Sequence, residues 1–180
     1  KERIWMETNK ALSSQNPEIF FSTLQDAGAL EKISLLEHLN LAELKQVKEK
    51  DLAIKWSVVI SGNENLEDIN NSFNAPKEYR EISEICDQLR KFNGNELSSD
   101  TVMSLIQKSD LIRKPERFFR AEKASSYFSE TSSLASDHWL AISTLINNIK
   151  IDKSLKEGKL IAKKLHEDRL SALNNYLLSL

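Results

Sequence analysis

The chain has 180 residues, 40% of them apolar and 29% charged, the balance of a packed globular chain rather than a disordered or membrane-embedded one. With 25 Lys and Arg against 27 Asp and Glu, the formal charge is −2, which excludes a generally basic nucleic-acid binder and leaves local clustering as the only route to such contacts. Four Gly and three Pro are too few for a tight-turned β architecture.

Helical spacing runs along almost the whole chain. The opening stretch KERIWMETNKAL is already in helical register over residues 2–13, with no cap ahead of it, so we expect a piece of a longer protein. Asn16-Pro17 restarts the chain, with Pro17 suited to a first helical turn, and Ile19, Phe20, Leu24 and Ala27 follow at helical intervals up to Gly28. Residues 30–39 read as a short buried helix or turn, and 41–48 as a short amphipathic helix. Residues 51–60 are the most apolar segment. Their β-branched residues admit a strand, but no second strand exists to pair with it, so a buried helix is expected. Ser61-Gly62-Asn63 breaks it. Residues 66–73 and 77–92 follow, the latter with a stripe of Tyr79, Ile82, Ile85, Cys86 and Leu89. Asn93-Gly94-Asn95 ends that helix, and Ser98 and Ser99 cap one over 101–108. A helix over 113–127 carries Pro115 on its first turn. The serine-rich 125–136 reads as a loop, and helices over 137–148 and 158–178 close the chain, with a short element of three-residue period between them. The fold class is all-α, an array of about ten short-to-medium helices.

Few residues offer chemistry. Cys86 is the one cysteine, on an apolar helical face, and reads as a small core residue in a reducing compartment, the cytoplasm. His38, His138 and His166 form no ligand set, so no metal site and no catalytic residue is expected. No apolar run is long enough to span a bilayer, and there are no glycine-rich phosphate loops. Two basic clusters remain. Arg113, Lys114, Arg117 and Arg120 lie around Pro115, with Phe118 and Phe119 turned inward; Lys159, Lys163 and Lys164, with Arg169, lie on the last helix. Cations so spaced can hold successive phosphates. They also suit a solvated face paired to Glu116, Glu122 and Glu167. Trp5, Trp56 and Trp139 read as core rather than stacking platforms.

Glu2-Arg3-Ile4-Trp5-Met6-Glu7 matches E-R-I-x-x-E, the last sequence motif of the class II tRNA nucleotidyltransferases, and the chain resembles the bacterial CCA-adding enzymes of that family. Further likenesses follow in order. Asn16-Pro17 through Phe21, Leu24 and Ala27-Gly28-Ala29-Leu30 is similar to N-P-x-x-x-F-x-x-L-x-x-x-G-A-L, and Asn74 through Arg80 to the family's short loop and following helix. Asp110 through Phe118 is similar to D-x-x-R-K-P-x-R, and Gly158-Lys159-Leu160-Ile161 with Arg169 and Leu170 to the closing helix.

The resemblance implies the neck end and start of the helical body over 1–50, the body over 51–127 and tail helices over 137–180. It implies that this portion binds tRNA and positions the acceptor arm for a catalytic head. The head motifs G-G-x-x-R-D, D-x-D, R-R-D and E-D-x-x-R do not occur here, so Mg2+ and CTP or ATP belong to that N-terminal nucleotidyltransferase domain and the chain alone is expected to be inactive. Glu2, Arg3 and Glu7 are the implied neck motif, with Arg3 able to pair with Glu7 one turn on. Many relatives carry a His-Asp phosphohydrolase here. The corresponding helix ends Val59-Ile60-Ser61-Gly62, which implies a degenerate region without that activity. A poly(A) polymerase-type relative, a helical scaffold for a protein partner and a homodimer stay open.

Overall fold

The structure, a computed structural model, describes residues 2–33, 36, 38–92, 97–128, 134–151 and 157–180. Among them are eleven helices and no strand, so the all-α expectation holds. The chain forms two compact units, Lys1–Lys91 with Arg117–Thr131, and Phe92–Glu116 with Ser132–Leu180.

The first unit contains α1 (Glu2–Leu12), α2 (Pro17–Asp26), α3 (Leu30–Ile33), α4 (Leu41–Gln46), α5 (Leu52–Ile60), α6 (Leu66–Phe73) and most of α7 (Lys77–Phe92). Its centre is α5, where Ala53, Ile54 and every residue from Trp56 to Ile60 are buried. A helix apolar all round belongs inside. Asp51 starts it, its carboxylate accepting the N–H groups of Ala53 at 2.9 Å and Ile54 at 3.4 Å. Asn40 finishes it. The Asn40 amide donates to the carbonyls of Val58 at 3.0 Å and Ser61 at 2.7 Å, groups the helix end leaves open. These two caps, with no neighbouring strand among the described residues, make the β-branched run a helix.

Trp56 is fully buried, edge-on to Trp5 at 5.3 Å and tilted against Phe73 at 5.1 Å. Its indole N–H donates to Asn70 at 2.9 Å, and the Asn70 amide donates to Ser83 at 3.1 Å. Trp56, Asn70 and Ser83 therefore satisfy one another's buried polar groups.

The second unit contains α8 (Ser99–Ser109), α10 (Ser136–Asn148) and α11 (Gly158–Leu177), with α11 packed on both others. Ser98 and Thr101 form a reciprocal capping box on α8. Asp110, at φ 58, ends that helix in the left-handed region. Its core joins Val102, Met103, Leu105 and Ile106 of α8, Trp139, Ile142 and Ile146 of α10, and Leu173 of α11.

Two boundaries differ from the expectation. The helix expected over 113–127 is α9 (Pro115–Ser125). Proline disfavours the α conformation at the residue before it, so Arg113 and Lys114 lie in a turn, both N–H groups bonded to the Asp110 carbonyl. The division between the units falls inside α9, after Glu116. The 30–39 segment is helical only over Leu30–Ile33, with 34, 35 and 37 outside the described residues. The 93–95 break, residues 129–133 of the 125–136 loop and most of the short element before α11 also fall outside them, while Ser125 ends α9 and Ser136 begins α10.

Candidate nucleic-acid interface

The two arginines of α9 are engaged within the first unit. Arg120 holds Asp51 bidentately, Nε to Oδ2 at 2.5 Å and Nη2 to Oδ1 at 2.9 Å, and its Nη1 reaches Glu78. Asp51 thus caps α5 and captures α9 with one carboxylate. Burial works to raise the Asp51 pKa, but the hydrogen bond and charge of Arg120 reverse that and hold it below the ordinary carboxylate range. The same hydrogen bond to Asp51, set against burial, moves Arg120 further up. Arg117 pairs with Glu81 of α7 at 2.8 Å, its side chain only 14% exposed. The Arg120 fork is filled by protein carboxylates, and Arg117 is mostly buried against Glu81, so a phosphate would have to break part-buried pairs, which is costly. The geometry makes Arg117 and Arg120 staples of the first unit.

The remaining cations of the expected set all belong to the second unit, and their engagement is of another kind. Arg113 pairs with Asp110 at 2.7 Å from a side chain 81% exposed. Lys114 and Lys159 are exposed. Lys163 lies 3.9 Å from Glu167, and Lys164 2.9 Å from Asp168, each pair one turn apart on exposed positions of α11. Such pairs are worth only about 0.3–0.5 kcal/mol each, so a phosphate oxygen can replace the carboxylate at little cost. Lys159 and Lys163 stand a turn apart on one side of α11, with Lys164 rotated by roughly 100°. Apolar and polar residues share the circumference of the helix, and among its residues Leu173 is the one buried.

On α1, Glu2, Arg3 and Glu7 are exposed. No ion pair joins Arg3 to Glu7 among the described residues. Both instead line an apolar recess of about 320 Å³ with Ile4, Phe20, Leu24 and Phe73.

Where the resemblance puts a degenerate phosphohydrolase, the first unit is tied together by amides. Asn63 donates to the carbonyls of His38 at 3.0 Å and Ile60 at 2.8 Å, and accepts the His38 N–H at 3.2 Å. The Gly62 N–H donates to buried Asp87 at 3.2 Å. Gly62 has φ +87, and a Cβ there would lie 2.7 Å from Arg90 Nη1, so the arginine occupies the space a side chain would need. His138 meets the Tyr176 hydroxyl at 2.9 Å and His166 the Gln107 amide at 3.5 Å, well apart in sequence from His38. Among the described residues no three His, Cys, Asp or Glu are grouped to hold a metal ion, and no helix is long and apolar enough to cross a membrane. Cys86 is fully buried and burial pushes its thiol up to about 12, which fits a core residue rather than a nucleophile. The reading of the sequence passed over Lys45, Lys48 and Lys123, which share one groove of the first unit. No helical spacing links residues so far apart in the chain.

Comparison with known proteins places the chain beside one group. It is 33% identical over 129 residues to a CCA-adding enzyme of Pseudomonas putida (strain F1), covering 65% of this chain and 34% of that one. A CCA-adding enzyme of Coxiella burnetii (strain RSA 493) is 26% identical over 189 residues, covering 98% of this chain and 50% of the relative. A protein named multifunctional CCA protein, of Psychromonas ingrahamii, is 25% identical over 97% of this chain and 56% of its own length. The chain therefore spans between about a third and just over half of the curated relatives it matches. No family model and no solved structure matches it.

Proposed function

We propose, from the premise that this chain is a relative of the CCA-adding enzymes over part of their length, that it is the helical portion that grips tRNA for a tRNA nucleotidyltransferase. In this reading the chain adds no nucleotide itself. It holds the acceptor arm in the cytoplasm for a nucleotidyltransferase domain, which binds Mg2+ and the incoming CTP or ATP.

The observation that carries the reading is the character of the second unit's cations. Lys159, Lys163 and Lys164 on α11 are exposed, and Lys163 and Lys164 each pair with an acid one turn on. Arg113 and Lys114 join them from the turn after α8. Such groups exchange carboxylate for phosphate readily and release counterions when they do. Arg117, paired with Glu81, and Arg120, held by Asp51 and Glu78, are better assigned to holding the fold.

The test is the affinity of the chain for a tRNA transcript as a function of salt. Replacing Lys159, Lys163 and Lys164 together by Ala is expected to weaken binding by roughly tenfold or more at 50 mM salt. It is also expected to flatten the log–log salt slope by about 2–3, from 0.7–0.9 per lost phosphate contact. A triple variant with the parent's affinity and slope defeats the reading, as does a parent chain that does not bind tRNA.

A further inference from the structure

A groove of about 520 Å³ in the first unit is lined by Lys45, Gln46, Lys48, Glu49, Lys123 and Tyr127. It joins the segment that leaves α4 to the end of α9 and the residues just after it. Three ammonium groups face one carboxylate, so the lining is net positive.

That carboxylate is already spoken for. Glu49 accepts the Tyr127 hydroxyl proton and pairs with Lys123 at 3.3 Å. Burial acts to raise its pKa, yet the Tyr127 and Lys123 contacts leave it lowered, so Glu49 stays charged and cancels Lys123. The Tyr127 oxygen also accepts the backbone N–H of Lys48 at 3.3 Å. The tyrosine thereby fixes the main chain from which the Lys48 side chain extends. Lys123 stands 5.6 Å from the centre of the Tyr127 ring, which completes a rigid floor. Lys45 and Lys48 are exposed at the rim, and neither makes an ion pair among the described residues. Two uncompensated ammonium groups thus stand over a floor whose own charges are balanced.

We infer that this groove is a second phosphate contact, in which Lys45 and Lys48 hold phosphodiester oxygens of an RNA strand. The inference rests on the proposed RNA-holding role and extends it to the first unit, where the two α9 arginines are held by carboxylates. Lysine suits the task as a mobile point charge that reads charge and not sequence. Tyr127 and Glu49 are positioning residues: they set the backbone at Lys48 and keep Lys123 out of the exchange.

The experiment uses the whole chain, the same tRNA transcript and two sets of variants. The double variant Lys45→Ala with Lys48→Ala alters only exposed side chains and is expected to keep the parent's melting temperature. Its affinity is expected to fall about fivefold to tenfold at low salt, and its salt slope to flatten by about 1.4–1.8, the value for two contacts. Glu49→Gln retains an acceptor for Tyr127 but releases Lys123, and is expected to bind about two- to threefold more tightly. A gain of affinity cannot come from misfolding. If the double variant binds with the parent's affinity and slope while the α11 triple variant is impaired, the inference fails and the RNA-holding role stands. If the parent shows no salt-sensitive binding, both fail together. Capture of polyglutamate through Lys45 and Lys48, with tRNA binding indifferent to them, makes the groove a protein-docking site and likewise overturns the inference.

Discussion

Arg120 and Lys163 are both cations on helices, and their surroundings give them opposite roles. Arg120, about a third exposed, is held bidentately by Asp51 and also by Glu78. Lys163, 75% exposed, faces Glu167 at 3.9 Å. Removing the first leaves two acids without their cation, and charged hydrogen bonds are worth about 1.5–3 kcal/mol. Arg120→Ala is therefore expected to destabilise the protein by about 2 kcal/mol in denaturant titration, while changing tRNA affinity less than twofold. A thermally neutral Arg120→Ala that loses tRNA binding would return this arginine to the RNA surface. The same pair sets a pH dependence. Asp51 has a depressed pKa in the folded protein, so its stabilising effect is present above the unfolded value of about 3.9 and is lost as pH falls through the folded value. Asp51→Asn keeps an N-cap but not the charge. It is expected to be less stable than the parent at pH 7 and to converge with it as pH falls through the depressed folded pKa of Asp51, as read by denaturation across pH.

At the scale of the helix, α5 and α11 mark two extremes. α5 draws its stability from burial on most sides, and α11 from its seating on α8 and α10, with lysines and acids among its exposed residues. Ile60, fully buried at the end of α5, is expected to cost about 2–5 kcal/mol when cut to Ala. The loss should appear in thermal unfolding and leave the salt slope of tRNA binding unchanged in the fraction that remains folded. A change of slope would instead mean that α5 shapes the binding surface. The tolerance of α11 to lysine substitution and the intolerance of α5 follow from the same principle: an exposed side chain gives up little when removed, a buried one leaves a cavity.

Across the whole molecule, charge is nearly balanced, at −2 with an isoelectric point near 6.0. Attraction to RNA must then come from where cations sit and not from how many there are. Solubility is expected to pass through a minimum near pH 6, where net charge vanishes; turbidity measured from pH 5 to 8 tests this. The match to CCA-adding enzymes spreads over 97–98% of this chain in the Coxiella and Psychromonas relatives, so the likeness involves both units.

The sequence alone determined the helices and most of their ends. Spacing of apolar residues, Pro17 and Pro115 at first turns, and the Ser98 cap act over a few residues, and all are visible in a linear string. It also determined that Trp56 and Trp139 are core, because helices with apolar stripes must bury them, while Trp5, read the same way, is half-buried, edge-on to Trp56 and Tyr79. What no local pattern could decide was the fate of each cation. Arg117 and Arg120 look like Lys163 and Lys164 in a string of letters, but their partners Glu81, Asp51 and Glu78 lie far back in the chain and meet α9 only after folding. Nothing in the string marks Lys45 and Lys48, because Tyr127 and Lys123 close the groove beside them only after folding. Electrostatic roles depend on distances in space, which only the tertiary structure sets.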